Sequence, residues 1–513
     1  MKKELLGKEV LAMYDIRGIQ GYIFKTNAVK EIIGASKLVD DIIINGLKDY
    51  VKNCVSPEEK ELYLVEWNNG DTADAFIKDE SKVLMQVMFV GGGNAYVLFR
   101  NGSICSEVNR YLGKYVLDKT YSLNVAIAVI EKTASYTDDY RRINMEMRRI
   151  KAHMPLSKPV GAFSFTATDS ITGLPITGCD LKSVSKKYYC TESLLKRKTA
   201  DTLQEKNIEK IFDNMVTQKG DNSTLALIHL DGNSLGKRIM NLMRDVKDYK
   251  TAIKKMRRLS SGIDKTFKDT FDEMTSWMDS QQDKFKTDTM KYRKIVVAGD
   301  DITFVCNAKL AIPAVKYFLE KLNEKKTDFI ETEEDKNPIF TACAGIAFFN
   351  SHFPFSDAYM VAEACCDSAK KRAKSTECSI SGKDQIVGNF FDFQMCTNVN
   401  ASNLDDYRDK HYVTNGESII RRPYYVSVEN DKGLNAKNEK YSVTELENKL
   451  SVLCGSELPR SLGKEIRNVI PQGNNEIKKE IAFLKSRKHA GFERLEEEKG
   501  VWYDACELMD LQL

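Results

Sequence analysis

The sequence predicts an α+β protein: two ferredoxin-like βαββαβ domains in tandem, a loop-rich segment between them and a C-terminal, mainly α-helical domain. Three observations predict this. Apolar runs of strand length alternate with longer helical patterns in the order β-α-β-β-α-β, and that order occurs twice. In each copy a strand ends in an Asp, Asp15 in the first and Asp231 in the second. In each copy a hairpin turn follows at a similar distance, at Gly91 in the first and Ala298 in the second. The copies place the domains at 8–150 and 223–395, with 151–222 between them and 396–513 as the tail.

The first copy opens with a strand from Val10 running through Asp15 into a turn and helix by Phe24. A helical stretch covers Ala35 to Val51. The hairpin spans Val83 to Phe99, with Gly91, Gly92, Gly93 and Asn94 at its tip. A helix from Ser106 to Leu117 and a strand from Leu123 to Ile130 close the unit. In the second copy the strand Leu225 to Leu230 ends at Asp231. A long helix is expected over Tyr249 to Met278, then a hairpin from Lys294 to Cys306, a helix from Ala311 to Leu322 and a strand from Phe340 to Phe348. Residues 356–395 add a helix and a strand. Between the copies, Thr172 to Gly178 is rich in turn residues, and Lys182 to Lys198 is basic with Tyr188 and Tyr189 interleaved, a pattern of either RNA contact or a solvated linker.

Composition excludes several classes. The chain carries 77 Lys and Arg against 74 Asp and Glu, a formal net charge of +3, so strong bulk DNA binding is not expected. The N-terminus has no apolar signal core and no apolar run approaches membrane-span length. A cytoplasmic protein with no membrane partner is expected. The 12 Cys are scattered and read as reduced, mostly buried thiols; Cys179 and Cys190 bracket a loop that alternatively reads as a decayed zinc knuckle. The five His include no pair at metal-ligand spacing, against a zinc peptidase or a His-Asp phosphohydrolase. His229 reads as a satisfied core residue.

The chemistry-bearing residues sit in the second copy. Gly299, Asp300 and Asp301 form a hairpin tip with adjacent carboxylates. Two such anions are costly to hold together, and a divalent cation, Mg²⁺ or Mn²⁺, removes the cost. Asp231 at the end of the first strand completes the carboxylate set of palm-type nucleotidyl polymerases and cyclases. Asp231, Asp300 and Asp301 are the expected catalytic residues and, with the Gly232 carbonyl, the expected metal ligands. Gly232, Asn233, Ser234, Leu235 and Gly236 open a helix, where free amides and the helix dipole favour phosphate. Gly299 belongs to the same expected nucleotide site. Lys370 and Lys374, four apart on one helix face, are expected to clamp a triphosphate; the plainer reading is a solvated basic helix end. The first copy has no carboxylate at its tip, so Gly91, Gly92, Gly93 and Asn94 are expected to contact a ligand without catalysing.

These motifs resemble the large polymerase/cyclase subunit of type III CRISPR effector complexes. Asp15 to Phe24 and Gly91 to Asn94 look like that family's degenerate first palm. Asp231 to Gly236 and Ala298 to Asp301 look like its catalytic second palm, whose usual signature is Gly-Gly-Asp-Asp. The helix ending at Lys370 is also similar to the Ala-Asp-x-Ala-Leu-Tyr-x-Ala-Lys helix of GGDEF cyclases. The resemblance implies conversion of ATP into cyclic oligoadenylate second messengers for antiviral defence, with guide RNA, target RNA and effector subunits as partners. It departs in three ways. No His-Asp nuclease domain precedes the first palm, so DNA cleavage is not expected. Ala298 replaces the first Gly, and the four-Cys zinc element is reduced to Cys179 and Cys190 at most. Two alternatives stay open: a non-catalytic palm-pair scaffold binding guide or target RNA, and a GGDEF-like cyclase using GTP.

Overall fold

A computed structural model describes residues 3–68, 72–91, 93–154, 163–180, 187–203, 215, 224–285, 290–330, 339–381, 385–396, 403–428, 431–455 and 458–512. Gly92 and the stretch 182–186 of the basic segment lie outside the described residues. The fold is α+β, as the strand and helix patterns predict. The chain forms two compact units, Met1–Lys210 with Ser234–Lys265 and Thr327–Pro338, and Ile211–Asn233 with Thr266–Lys326 and Ile339–Leu513.

The first unit is built on a five-stranded sheet of order β2-β3-β4-β1-β5. Its strands are β1 (Val10–Arg17), β2 (Tyr63–Leu64), β3 (Met85–Gly91), β4 (Asn94–Phe99) and β5 (Asn124–Glu131). β1 lies between β4 and β5, antiparallel to both. Val10, Leu11, Ala12 and Tyr14 on β1 are fully buried, which accounts for the near-continuous apolar run there. The short helices α1 (Ile19–Ile23), α2 (Val29–Val39) and α3 (Ile42–Cys54) follow β1. α4 (Gly102–Thr120) starts where the Asn101 side chain accepts a bond from Ile104 N, and α5 (Tyr136–His153) where Ser135 accepts from Asp138 N.

Between α5 and the second sheet come the hairpin β6 (Ile176–Cys179) and β7 (Tyr188–Cys190), then α6 (Thr191–Asp201). α6 packs on α2 at Gly34, where a Cβ would lie 1.8 Å from the Lys196 carbonyl oxygen. Paired charges fill this contact: Arg197 with Glu31 at 2.9 Å, Lys30 with Asp180 at 3.1 Å and Lys196 with Glu192 at 2.8 Å. Lys196 and Arg197, part of the basic stretch, are therefore buried structural ions. Cys179 and Cys190 sit on the two strands of the hairpin, Cys179 opposite Tyr188 and Cys190 opposite Ile176.

The second unit holds a six-stranded sheet of order β15-β12-β11-β8-β10-β9. β8 (Thr224–Gly232) is central, flanked by β10 (Asp301–Asn307), which forms a hairpin with β9 (Tyr292–Ala298), and by β11 (Ala342–Asn350). The four strands β11-β8-β10-β9 repeat the order β5-β1-β4-β3 of the first sheet. α7 (Leu235–Met243) follows β8, and α8 (Tyr249–Ser280) precedes the hairpin. Phe267 and Phe271 of α8 pack against Phe318 of α9 (Ala311–Asn323), Phe340 and Phe304 with ring centroids 5.5–6.3 Å apart. α10 (Phe355–Lys374) leads to β12 (Asn389–Met395), parallel to β11.

The tail is mainly helical: α11 (Leu404–His411), α12 (Lys432–Asn438), α13 (Val443–Cys454), α14 (Arg460–Val469), α15 (Asn474–Ser486) and α16 (Lys499–Leu508). It also contains the small ribbon β13 (Val413–Thr414) and β14 (Glu417–Ser418), and β15 (Tyr424–Val426), which joins the second sheet beside β12. Trp502 and Leu508 of α16 are almost completely buried. Arg422 is buried with them and is neutralised by Asp504 at 3.2 Å and Glu507 at 2.5 Å.

Candidate active site

The strand register assembles the site. His229 of β8 is opposite Thr303 of β10 and Gly345 of β11, and Asp231 is opposite Cys343. Successive side chains alternate faces, so His229, Asp231, Asp301, Thr303, Cys343 and Gly345 share one face. The other face carries Ile228, Leu230, Ile302 and Phe304, all fully buried. The Asp-bearing face is therefore the one not occupied by the aromatic packing of α8 and α9.

α10 crosses the Asp-bearing face at Gly345. A Cβ there would lie 1.8 Å from the Ala362 carbonyl oxygen and 2.4 Å from the Cys366 nitrogen. Only glycine lets helix and strand backbones approach this closely. The Cys366 thiol donates to the Cys343 carbonyl at 3.5 Å. One turn further, Lys370 Nζ reaches Asp231 Oδ2 at 2.5 Å. Burial works against the Lys370 ammonium, but its hydrogen bond to Asp231 and the charge of that carboxylate hold its pKa above the ordinary lysine value.

At the hairpin tip Ala298 pairs with Asp301, leaving Gly299 and Asp300 as a two-residue turn. Gly299 has φ +63°, a left-handed conformation that favours glycine. Ala298 is the last residue of β9, keeps a negative φ and needs no such freedom. Burial first, and then the negative charges of Asp231 and Asp301, push the Asp300 carboxyl up to about 6. His229 Nδ1 stands 3.5 Å from Asp301 Oδ1 and 3.1 Å from Thr303 Oγ1. Burial lowers the His229 pKa, against the pull of Asp231 and Glu363, and keeps the ring neutral.

The remaining expected residues are distributed as follows. Gly232 ends β8 opposite Ala342. Asn233 is buried, its backbone N–H bonded to the Thr341 carbonyl and its side-chain amide donating to Thr341 Oγ1 and the Gly388 carbonyl, each at 3.1 Å. Its donors fix the strand end. Ser234 takes a left-handed backbone, φ +57°, and Leu235 and Gly236 begin α7, which belongs to the first unit. Lys374 is exposed at the end of α10, away from the carboxylate contact that Lys370 makes.

The first sheet carries the same geometry with different residues. Gly91 pairs with Asn94 as Ala298 pairs with Asp301, and Asp15 is opposite Asn94 and Ala126. Gly93 has φ +77°. Lys151 of α5, the helix after the last strand of that unit, is ion-paired with Asp15. Arg17 holds the Lys151 carbonyl at 3.0 Å. The sequence reading missed Lys151. Its signal was positional: a lysine near the end of the helix that follows the fourth strand, as Lys370 is in the second copy.

Residues 224–379 match the family described as Cas10/Cmr2, second palm domain. The second βαββαβ unit is similar to that palm domain. That match spans β8 through α10, and so includes Asp231, Asp300, Asp301 and Lys370. Solved structures similar to the chain include Csm1 in T.onnurineus, at TM-score 0.48 and 11% identity over 99% of this chain and 70% of that one. They also include a Csm1–Csm4 cassette in complex with cA4, at TM-score 0.45 and 12% identity over 99% and 70%. A third is the Csm1–Csm4 subcomplex in the type III-A CRISPR–Csm interference complex, at TM-score 0.44 and 11% identity over 99% and 70%. No curated protein gives a significant sequence match. Among the described residues no helix is long and apolar enough to cross a membrane.

Proposed function

We propose that this protein is a divalent-cation-dependent nucleotidyltransferase that converts ATP into cyclic oligoadenylate-type second messengers in CRISPR-linked antiviral defence. One observation carries the reading: within a Cas10/Cmr2-type palm, Asp231 and the Asp300–Asp301 tip meet at adjacent strand ends with Lys370 as their counter-charge.

The donor set fits a hard divalent cation. It is all oxygen, and burial and then the charges of Asp231 and Asp301 raise the Asp300 pKa; a bound cation relieves the repulsion part. Among the described residues no three His, Cys, Asp or Glu side chains already stand as a metal-binding group, and Asp231 is occupied by the Lys370 ammonium. Asp231, Asp300 and Asp301 would hold Mg²⁺ or Mn²⁺, with the Gly232 carbonyl at the same strand end. The bound cation would polarise phosphoryl oxygens and lower the pKa of the attacking hydroxyl. Lys370 supplies a compact positive charge for a triphosphate once Asp231 engages the cation. Asn233, tied to Thr341 and Gly388, holds the end of β8 rigid, and Gly299 gives the tip its turn. Guide RNA, target RNA and effector subunits are the proposed partners in this role.

The test is direct. Purified protein is incubated with each NTP and Mg²⁺ or Mn²⁺, with and without an RNA-bound effector complex, and products are identified by mass spectrometry. Cyclic adenylate products that vanish in Asp231→Asn support the reading. Products from GTP alone favour a GGDEF-like cyclase. No product under any of these conditions favours a scaffold.

A further inference from the structure

His229 looks like a core residue in the sequence, and it is only 5% exposed. Its polar contacts are more specific than core filling requires. It lies two residues before Asp231 on β8, and its register partner Thr303 lies two residues after Asp301 on β10. The ring thus sits on the same face as both carboxylates. Nδ1 faces Thr303 Oγ1 at 3.1 Å and Asp301 Oδ1 at 3.5 Å. The ring of Tyr359 from α10 meets the imidazole edge-on, at 5.9 Å and 74°, and fixes its plane. A carboxylate only accepts hydrogen bonds, so the tautomer that would serve Asp301 carries its proton on Nδ1.

We infer that His229 is a positioning residue: gripped by Thr303 and Tyr359, its imidazole sets the orientation in which Asp301 meets a divalent cation. The inference rests on the metal-dependent reading above. Partners of this kind, one shell out from a metal, orient the ligand, and their loss typically costs about 10- to 100-fold in metal affinity.

The experiment titrates Mn²⁺ into the full chain and reads bound metal by electron paramagnetic resonance, with no nucleotide present. His229→Leu fills the same volume without a donor and should weaken Mn²⁺ binding about 10- to 100-fold. His229→Asn, whose carboxamide nitrogen can donate near the place of Nδ1, should recover part of that loss. Thr303→Val, which removes the ring's hydroxyl partner, should weaken binding less than His229→Leu. In turnover assays the KM for Mg²⁺ should rise more than kcat falls. Unchanged Mn²⁺ affinity in His229→Leu overturns the inference, as does His229→Asn binding no better than His229→Leu. Should His229→Leu fail to fold, Thr303→Val decides, and unchanged affinity there overturns it. If the unsubstituted protein binds no Mn²⁺, the metal-dependent reading itself falls and this inference with it.

Discussion

Lys370 Nζ is 2.5 Å from Asp231 Oδ2, and the first sheet repeats the relationship between Lys151 and Asp15. In both units the acid lies near the end of the first of the four repeated strands, and the lysine comes from the helix after the last of them. What separates them is the hairpin tip: Asp300 and Asp301 in one, Gly93 and Asn94 in the other. The Asp–Lys pair alone is therefore a structural inheritance of the repeat, and the added carboxylates distinguish the site proposed to be catalytic.

Lys370→Ala should raise the KM for ATP and lower turnover. Charge-assisted contacts contribute about 1.5–3 kcal/mol, so a loss of roughly tenfold to a hundredfold in kcat/KM is expected. Lys370→Arg should rescue only in part, because a planar fork does not reproduce a compact ammonium. Lys374→Ala, at an exposed position, should have a smaller effect. Steady-state kinetics at fixed Mg²⁺ checks all three, and an unchanged kcat/KM for Lys370→Ala counts against the clamp.

Asp301→Ala should reduce product formation on the order of 10²-fold or more, from lost charge stabilisation in the transition state. Asn94→Ala, at the matching register position of the first sheet, should affect rate far less, since Asn carries no charge to hold a cation. Equal loss of activity in the two folded variants would contradict the asymmetry.

The fold was legible in the sequence because both copies alternate strand and helix patterns in the same order, and the hairpin tips announce themselves by Gly. The carboxylates were legible because paired Asp at a turn needs a reason to be there. Three features were not. Lys151 lies in a helix rich in charged residues, where one more lysine carries no pattern. Gly345 sits inside an apolar strand, and only the crossing of α10 shows why it lacks a side chain. The contact of α2 with α6 buries Lys196 and Arg197, which a linear reading assigns to a basic stretch of either RNA contact or a solvated linker.

Asp300 makes stability depend on pH. Its pKa is about 6 in the folded protein against an ordinary 3.8, so the folded state holds more protons between these values. Stability contributed by this group is present below about pH 4 and is lost as pH rises through about 6. Asp300→Asn should abolish that slope and, without divalent cations, raise stability at pH 7 by about 1–3 kcal/mol. Mg²⁺ should stabilise the unsubstituted protein at pH 7 and stabilise Asp300→Asn less. Thermal melts at pH 4.5 and 7, with and without Mg²⁺, measure this; a stability loss in metal-free Asp300→Asn at pH 7 would contradict it.

Gly345→Ala tests whether the close crossing of α10 and β11 sets the lysine in place. The new methyl would meet the Ala362 carbonyl oxygen and the Cys366 nitrogen, both backbone atoms, so no side-chain rotation relieves the clash. Overpacking of this kind costs about 1–3 kcal/mol, and backbone obstruction puts the expected loss at the upper end. The helix must move outward, and Lys370 moves with it. Activity should therefore fall even at temperatures where the variant is fully folded, with a rise in the KM for ATP like that of Lys370→Ala. Gly46→Ala is the control: there the methyl would meet side-chain atoms of Leu112 and Tyr115, which can rotate away, and Ala favours the helix. That variant should lose less stability and keep its KM for ATP. Melting temperature and kinetics measured together separate the two, and a Gly345→Ala protein with unchanged KM would show that Lys370 does not depend on the crossing.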